Sequence, residues 1–482
     1  MFRRLIALLV LLGLIATACS RGSDTSSAAD DERTRTEASI LPPADTDPDF
    51  SPEEQESAPE ENPDDGRLVV QDFNFQLTTM LPDGSEVAEL TDPGTINTQP
   101  SWAPDGSRVA WVSVDGTTGQ TTIAADRFDR SDFREVDIDQ APFYLYWDPS
   151  ASRIAHLSPS TGGIDLGIAE LLGEDGPTDR RVDRGQPYFL AWGPDGDELL
   201  VHASGFRLDR IDLGSATVIV DEFPARFGAA TWLPDDSLLY GDLDENDEQF
   251  LVSTGAAGEG RRPLITYEGV LRFSVSNEGN RIVMQAAPVE EEDGVVTAST
   301  GLQPPEPETT FISAQAQAQA QPTPTPEFDD SLDAIDPIET GIPYLMGTFG
   351  GEPFALSNNP AVAMYPSPDG QAIAWFEESI GVRGALTLHF DANGQRTVLP
   401  PFVPSAETLN AYFPFFDQYS QSHDFWSPSS NLFVYAGRPL GSAEPDGIWV
   451  FDRTTSLQTR IADGVVASFT RTPQAGGARS AL

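Results

Sequence analysis

Ser101-Trp102-Ala103-Pro104-Asp105-Gly106-Ser107-Arg108-Val109-Ala110-Trp111 reads as a hairpin, and variants of it recur along the chain. Pro104 presets φ for the second position of a type I turn and Asp105 follows. Gly106 then takes the left-handed position that lets the next strand return without a Cβ clash. Trp102 closes one strand, and Val109-Ala110-Trp111 opens the next.

The copies run Trp147-Asp148-Pro149-Ser150-Ala151, Trp192-Gly193-Pro194-Asp195-Gly196, Trp232-Leu233-Pro234-Asp235-Asp236, Val275-Ser276-Asn277-Glu278-Gly279, Pro366-Ser367-Pro368-Asp369-Gly370 and Trp426-Ser427-Pro428-Ser429-Ser430. Measured at the proline, or at Asn277 in its place, they stand at 104, 149, 194, 234, 277, 368 and 428, with steps of 45, 45, 40, 43, 91 and 60. A repeat of roughly 40–45 residues holding several short strands is the signature of propeller blades, four-stranded sheets that cover their faces only by stacking on neighbours. The expected fold class is therefore all-β, a β-propeller in which the motif aromatic fills the gap between blades.

Two steps exceed the period. Residues 287–340 hold Glu290-Glu291-Glu292-Asp293, an Ala-Gln run at 314–321 and Pro322-Thr323-Pro324-Thr325-Pro326, a low-complexity insertion whose removal returns the step of 91 to one blade. The other excess, 402–423, is aromatic. Strands before Trp102 lack a first strand, and Val465-Val466-Ala467-Ser468-Phe469-Thr470 looks like a first strand without partners. Joining the two termini closes the ring and protects sheet edges. Without the two excesses, residues 67–475 divide into about 43 per blade for eight blades or about 49 for seven, which favours eight.

These residues resemble the TolB-like, WD-repeat-like propellers, whose repeats carry a Trp-Ser-Pro-Asp-Gly turn followed by an Ile-Ala-Phe-like strand. The match is best at 102–111 and 367–375. The resemblance implies a propeller over about 67–475 and a binding platform more often than an enzyme.

Met1-Phe2-Arg3-Arg4, the apolar run 5–16 and Thr17-Ala18-Cys19 read as an export signal, residues 1–18, too short to span a membrane. The signal resembles a bacterial lipobox with Ala16 where Leu is commoner, so Cys19 is the expected lipid attachment site. An ordinary secreted protein with one incidental thiol is the alternative. Cys19 is the sole cysteine, so no intramolecular disulfide forms. Residues 19–66 are acidic, Ser/Thr/Pro-rich and almost without aromatics, the composition of a disordered tether, and 476–482 form a tail. The expected address is the cell envelope, periplasmic or on the outer surface, with contact to the membrane through lipid only. The net charge is −48, and all 28 basic residues are arginine. That field repels nucleic acid and anionic membranes.

No G-x-S-x-G, H-E-x-x-H or phosphate loop is present, so no catalytic residue and no cofactor is expected. Of the four histidines, His156 occupies the place of Trp111 and Trp375 in the repeat and reads as packing. Asp242, Asp244 and Asn246 alternate like a calcium loop, but Asp247 stands at the glycine position and Ser253 at the closing glutamate, so an acidic connector is the stronger reading. The sharper signal is Tyr412, Phe413, Phe415, Phe416 and Tyr419, in a connector entering an innermost strand. With Phe143, Tyr144, Tyr188 and Phe189 on related connectors, these form a candidate binding rim for a protein, peptide or glycan. The alternative is that the connector folds over as a plug and buries its own rings. The function expected is a non-catalytic recognition platform. The alternatives are a propeller enzyme acting on a glycan or peptide, or an envelope assembly or sensor-accessory lipoprotein whose acidic insertion docks a basic partner.

Overall fold

The computed structural model describes residues 65–471, except 174–175, 205–206, 215–216, 222–223, 226–227, 293–294 and 299–336. The signal segment, Cys19, nearly all of the tether, most of the insertion and the tail lie outside the described residues. The strands form six four-stranded antiparallel sheets, one eight-stranded path and a small hairpin, Val289–Glu292 with Val295–Ala298. The chain is a β-propeller.

The second sheet, Thr95–Trp102, Val109–Asp115, Thr121–Asp126 and Arg134–Asp137, sets the pattern of four strands in chain order. Three more repeat it, beginning at Tyr144–Trp147, Tyr188–Trp192 and Thr231–Trp232. In the sixth sheet Arg281–Ala287 pairs directly with Pro343–Gly347, so residues 288–342 are inserted between its second and third strands. The long path begins at Ala361–Pro366 and passes through Phe402–Pro404 to Leu432–Pro439, Gly447–Asp452 and Leu457–Asp463. The first sheet draws on both ends of the chain, with Leu68–Gln71 antiparallel to Val466–Phe469 and Leu68 opposite Phe469.

Six of the seven motif copies keep one hydrogen-bond pattern even where their sequence has drifted. In the first, Ala103 N–H donates to the Arg108 carbonyl and Gly106 N–H to the Ala103 carbonyl, both at 2.9 Å. The same pair closes the copies at 148, 193, 276, 367 and 427, and at 233 the turn is one residue shorter, with Leu233 N–H donating to the Ser237 carbonyl at 2.8 Å and Asp236 N–H to the Leu233 carbonyl at 3.0 Å. The residue that must adopt positive φ is Gly106 (+66°), Gly196, Gly279 and Gly370 in four copies, but Ala151 (+58°), Asp236 and Ser430 in the others. Alanine has no side-chain oxygen to offset the Cβ clash there. Ala151→Gly is therefore expected to stabilise the protein by about 0.5–1 kcal/mol, and Gly106→Ala to cost about 1 kcal/mol, both read by denaturant unfolding.

Three of the five motif tryptophans bridge neighbouring blades by a hydrogen bond, whereas the indole nitrogens of Trp102 and Trp232 have no hydrogen-bond partner among the described residues. Trp147 Nε1–H donates to the Ser101 carbonyl at 3.0 Å, Trp192 to Tyr146 at 2.9 Å and Trp426 to Tyr365 at 2.9 Å. In each case the acceptor is the residue just before the corresponding motif position one repeat earlier. A buried indole thus satisfies its donor and fills the space between two innermost strands at once. The Gln285 carboxamide does similar work between the sixth sheet and the long path: it accepts from Ala361 N–H at 2.7 Å and donates to Ala361 O at 3.3 Å.

Candidate functional site

The aromatic connector is wound into three short turns, Thr408–Tyr412 (π-helical), Phe413–Phe415 (3-10) and Phe416–Tyr419 (α-helical). It does not stand up from the surface. Tyr412, Phe413, Phe416 and Tyr419 are buried, while Phe415 is 52% exposed.

Its polar groups are matched to the innermost strands around the channel. Gln418 Oε1 accepts from Leu190 N–H at 2.9 Å, and its Nε2 donates to Leu190 O and to the Tyr144 hydroxyl, each at 2.8 Å. The carboxamide therefore pairs with Leu190 as a neighbouring strand's peptide group would. Tyr419 OH donates to Gln99 Oε1 at 2.8 Å. Gln421 reaches the Ala230 carbonyl at 3.3 Å, and Thr408 the Val465 carbonyl at 3.3 Å. From the sixth sheet, Arg272 donates to the carbonyls of Phe413 (3.2 Å) and Pro414 (2.8 Å), lies 3.6 Å from the Asp417 carboxylate and stacks 4.3 Å over the Phe416 ring. Phe413 and Phe416 pack on Phe376 and Tyr365 of the long path. The connector is a plug tied to every side of the channel.

This geometry corrects the candidate rim. Tyr144, Tyr188 and Phe189 belong to strands rather than connectors and are buried. Tyr144 packs edge-on against Tyr419, and Tyr188 donates to Asp183 at 2.9 Å. With Tyr412, Phe413, Phe416 and Tyr419 also covered, only Phe143, at 42%, and Phe415 present rings to solvent. The sequence could not separate the two readings, because an aromatic cluster that binds and one that plugs have the same composition.

The calcium reading also fails on geometry. Asp242 is buried and ion-paired with Arg261. Asp244 Oδ1 accepts from the Asn246 and Glu248 N–H groups at 2.8 Å, closing the hairpin between Leu238–Leu243 and Gln249–Thr254. These oxygens already have partners. Among the described residues no group of three or more His, Cys, Asp or Glu side chains is placed to hold a metal ion.

The histidines are used inside the walls. His156 Nε2 lies 2.9 Å from Asp179 and its Nδ1 3.1 Å from Ser158. His389 stacks on Trp375. Burial lowers the pKa of His202 to about 4 and that of His423 to about 3. Both rings are therefore neutral at pH 7, and His423 Nε2–H donates to the Pro100 carbonyl at 3.1 Å while Nδ1 faces Ser422 Oγ at 2.7 Å.

Where the motif turns lie, two small clefts share Ser274, Val275, Asn277 and Ser420 in their lining, and the connector's Asp417 and Gln421 border one of them. Sequence reasoning did not identify them. Their signal was nevertheless present, in the motif copies that carry Val275 and Pro366 where the others carry tryptophan.

No family model matches the chain, and no curated protein matches it. Among solved structures, likeness is found to TolB from Acinetobacter baumannii, at 15% identity and a TM-score of 0.35 over 62% of this chain and 64% of that one. The chain thus spans less than two thirds of the length of that TolB. Likeness is also found to the β-propeller domain of the Trilobed protease from Pyrococcus furiosus, at 11% identity and a TM-score of 0.42 over 77% of this chain and 98% of that one. An oligogalacturonate lyase from Vibrio parahaemolyticus gives 9% identity and a TM-score of 0.41 over 76% and 86%.

Proposed function

We propose that this chain is an exported lipoprotein, held to a membrane through Cys19, whose eight-bladed propeller is a non-catalytic recognition platform for a protein, peptide or glycan. The observation that carries this reading is how the titratable groups in the walls and channel are used. His423, His202, Asp417 and Arg272 hold the plug and the walls together, and burial keeps both of these imidazoles neutral at pH 7. Groups so committed are supports for a rigid surface rather than acids and bases poised at working pH. Among the described residues no helix is long and apolar enough to cross a membrane.

The test has two parts. Cys19→Ser in the producing cell should move the protein from the membrane to the soluble fraction and abolish labelling by a fatty-acid analogue. Crosslinking on intact cells should recover a discrete partner, which Phe143→Ser with Phe415→Ser should lose while the melting temperature holds. Both side chains are largely exposed, so the pair is expected to change stability by no more than about 0.5 kcal/mol each. Unchanged fractionation of Cys19→Ser would overturn the anchor, and an unchanged partner set would overturn the rim.

A further inference from the structure

The first sheet meets the second along a seam with Val69, Leu77 and Leu90 on one side and Trp102, Val109 and Trp111 on the other. Two polar side chains belong to the same seam. Gln71 is two residues along the strand from Val69 and Thr79 is directly opposite Val69, so both share its face. Gln71 Oε1 and Nε2, Thr79 Oγ1 and the indole nitrogens of Trp102 and Trp111 have no hydrogen-bond partner among the described residues, and none of these four side chains is more than 2% exposed. An unsatisfied group so deeply buried carries a cost that is relieved when the seam parts and water enters. Across the next seam, by contrast, the Trp147 indole has its carbonyl.

This seam is held from its edges. Asn97 N–H and Nδ2 donate to the Phe75 carbonyl at 3.2 and 3.0 Å, and Gln76 Nε2 donates to the Thr95 carbonyl at 3.1 Å. At the motif-turn end, the Arg67 guanidinium lies 4.8 Å from the centre of the Phe128 ring. From the channel, the plug grips both sides. Ser405 and Thr408 donate to the Val465 carbonyl, and the N–H of Val465 donates to the Gln71 carbonyl at 2.9 Å. On the other side, Tyr419 OH reaches Gln99 Oε1 at 2.8 Å and His423 Nε2–H the Pro100 carbonyl at 3.1 Å. Gln99 is buried and has φ of +55° in an innermost strand, where the pairing slips between Thr98 and Ser101. A non-glycine residue persists in that conformation only while its surroundings hold it there. The plug is one of those surroundings.

We propose that the ring parts along the seam between its first and second sheets, and that the plug is the latch that holds it shut. Opening gives water to Gln71, Thr79 and both indoles, relaxes Gln99, and uncovers the apolar faces around Val69 and Trp102. The inference does not depend on the platform reading and goes beyond it by tying the plug to a movement of the wall.

Thiol labelling of the full-length chain tests it. On a Cys19→Ser background, Thr79→Cys places a single thiol in this seam. Ser101→Cys places one, equally buried, on the opposite face of the second sheet, beside Ala110 and against the third. Under native conditions Thr79→Cys should react at least about tenfold faster than Ser101→Cys, the weight of one unsatisfied buried group. Its rate should change little with low denaturant, as a local opening requires. Adding Gln71→Leu removes two orphaned atoms at similar volume and should slow labelling at 79 about tenfold while leaving 101 unchanged. Tyr419→Phe should quicken labelling at 79 and leave 101 unchanged. Equal labelling at 79 and 101, or an unchanged rate at 79 with Gln71→Leu, would overturn the opening. A Tyr419→Phe variant that speeds both thiols alike, or neither, would overturn the latch. The comparison of the two cysteines stands even if Gln71→Leu fails to fold.

Discussion

Gln418→Leu is expected to lose about 3–5 kcal/mol of folding stability, although it replaces a polar side chain with an apolar one of similar size. The Gln418 carboxamide satisfies both backbone groups of Leu190 and the Tyr144 hydroxyl, all buried. Leucine fills the volume and pairs with neither Leu190 group, while the Tyr144 hydroxyl keeps only its bond to the backbone carbonyl of residue 418 at 3.2 Å. Each orphaned buried group costs about 1–3 kcal/mol, whereas the net gain from making a hydrogen bond is only about 1 kcal/mol. Denaturant unfolding followed by tryptophan fluorescence measures the loss. Phe415→Ser, three residues earlier in the same plug, should change the midpoint little because its ring is half exposed. An equal loss at both positions would mean that the connector is tied down by general burial rather than by the carboxamide bridge.

The contrast between these positions shows how far the sequence could be read. The repeat was legible because its information is local. A turn that needs a left-handed residue recurs, in most copies after an inward tryptophan, and the hydrogen bonds at 103, 148, 193, 276, 367 and 427 show one conformation in six copies, with a turn one residue shorter at 233. The drifted copies at Ala151 and Ser430 keep the backbone and give up the residue that suits it best. The plug was legible only as an excess of length. Asp417 and Gln418 are residues that normally face solvent, and nothing local to Phe416-Asp417-Gln418-Tyr419 says that their partners lie 228 or 274 residues away in sequence.

Arg272→Met should damage the plug about as much as Gln418→Leu, at about 3–5 kcal/mol, and its pH dependence identifies the cause. The guanidinium lies 3.6 Å from Asp417, donates to two plug carbonyls and covers the Phe416 ring. Methionine keeps some of the packing over the ring but leaves a fully buried carboxylate without its counter-charge. Removing one partner of a buried pair costs more than the intact pair contributes. Burial already holds the Asp417 pKa above its ordinary value, with Arg272 the main opposing influence. Loss of the arginine therefore raises that pKa further. A carboxyl with a raised folded-state pKa favours the folded state when protonated, and this advantage is lost as pH rises through the folded value. The deficit of Arg272→Met relative to wild type should accordingly be largest at neutral pH. It should shrink as pH falls from the raised folded value toward the ordinary carboxylate value of 3.8, where the unfolded chain also takes up its proton. Adding Asp417→Asn removes the charge at every pH, so the double variant should recover most of the loss at neutral pH and show no such pH-dependent deficit. A pH-independent deficit in the single variant, or no recovery in the double, would assign the damage to the Phe413 and Pro414 carbonyls instead and make Arg272 a backbone clamp rather than a counter-ion.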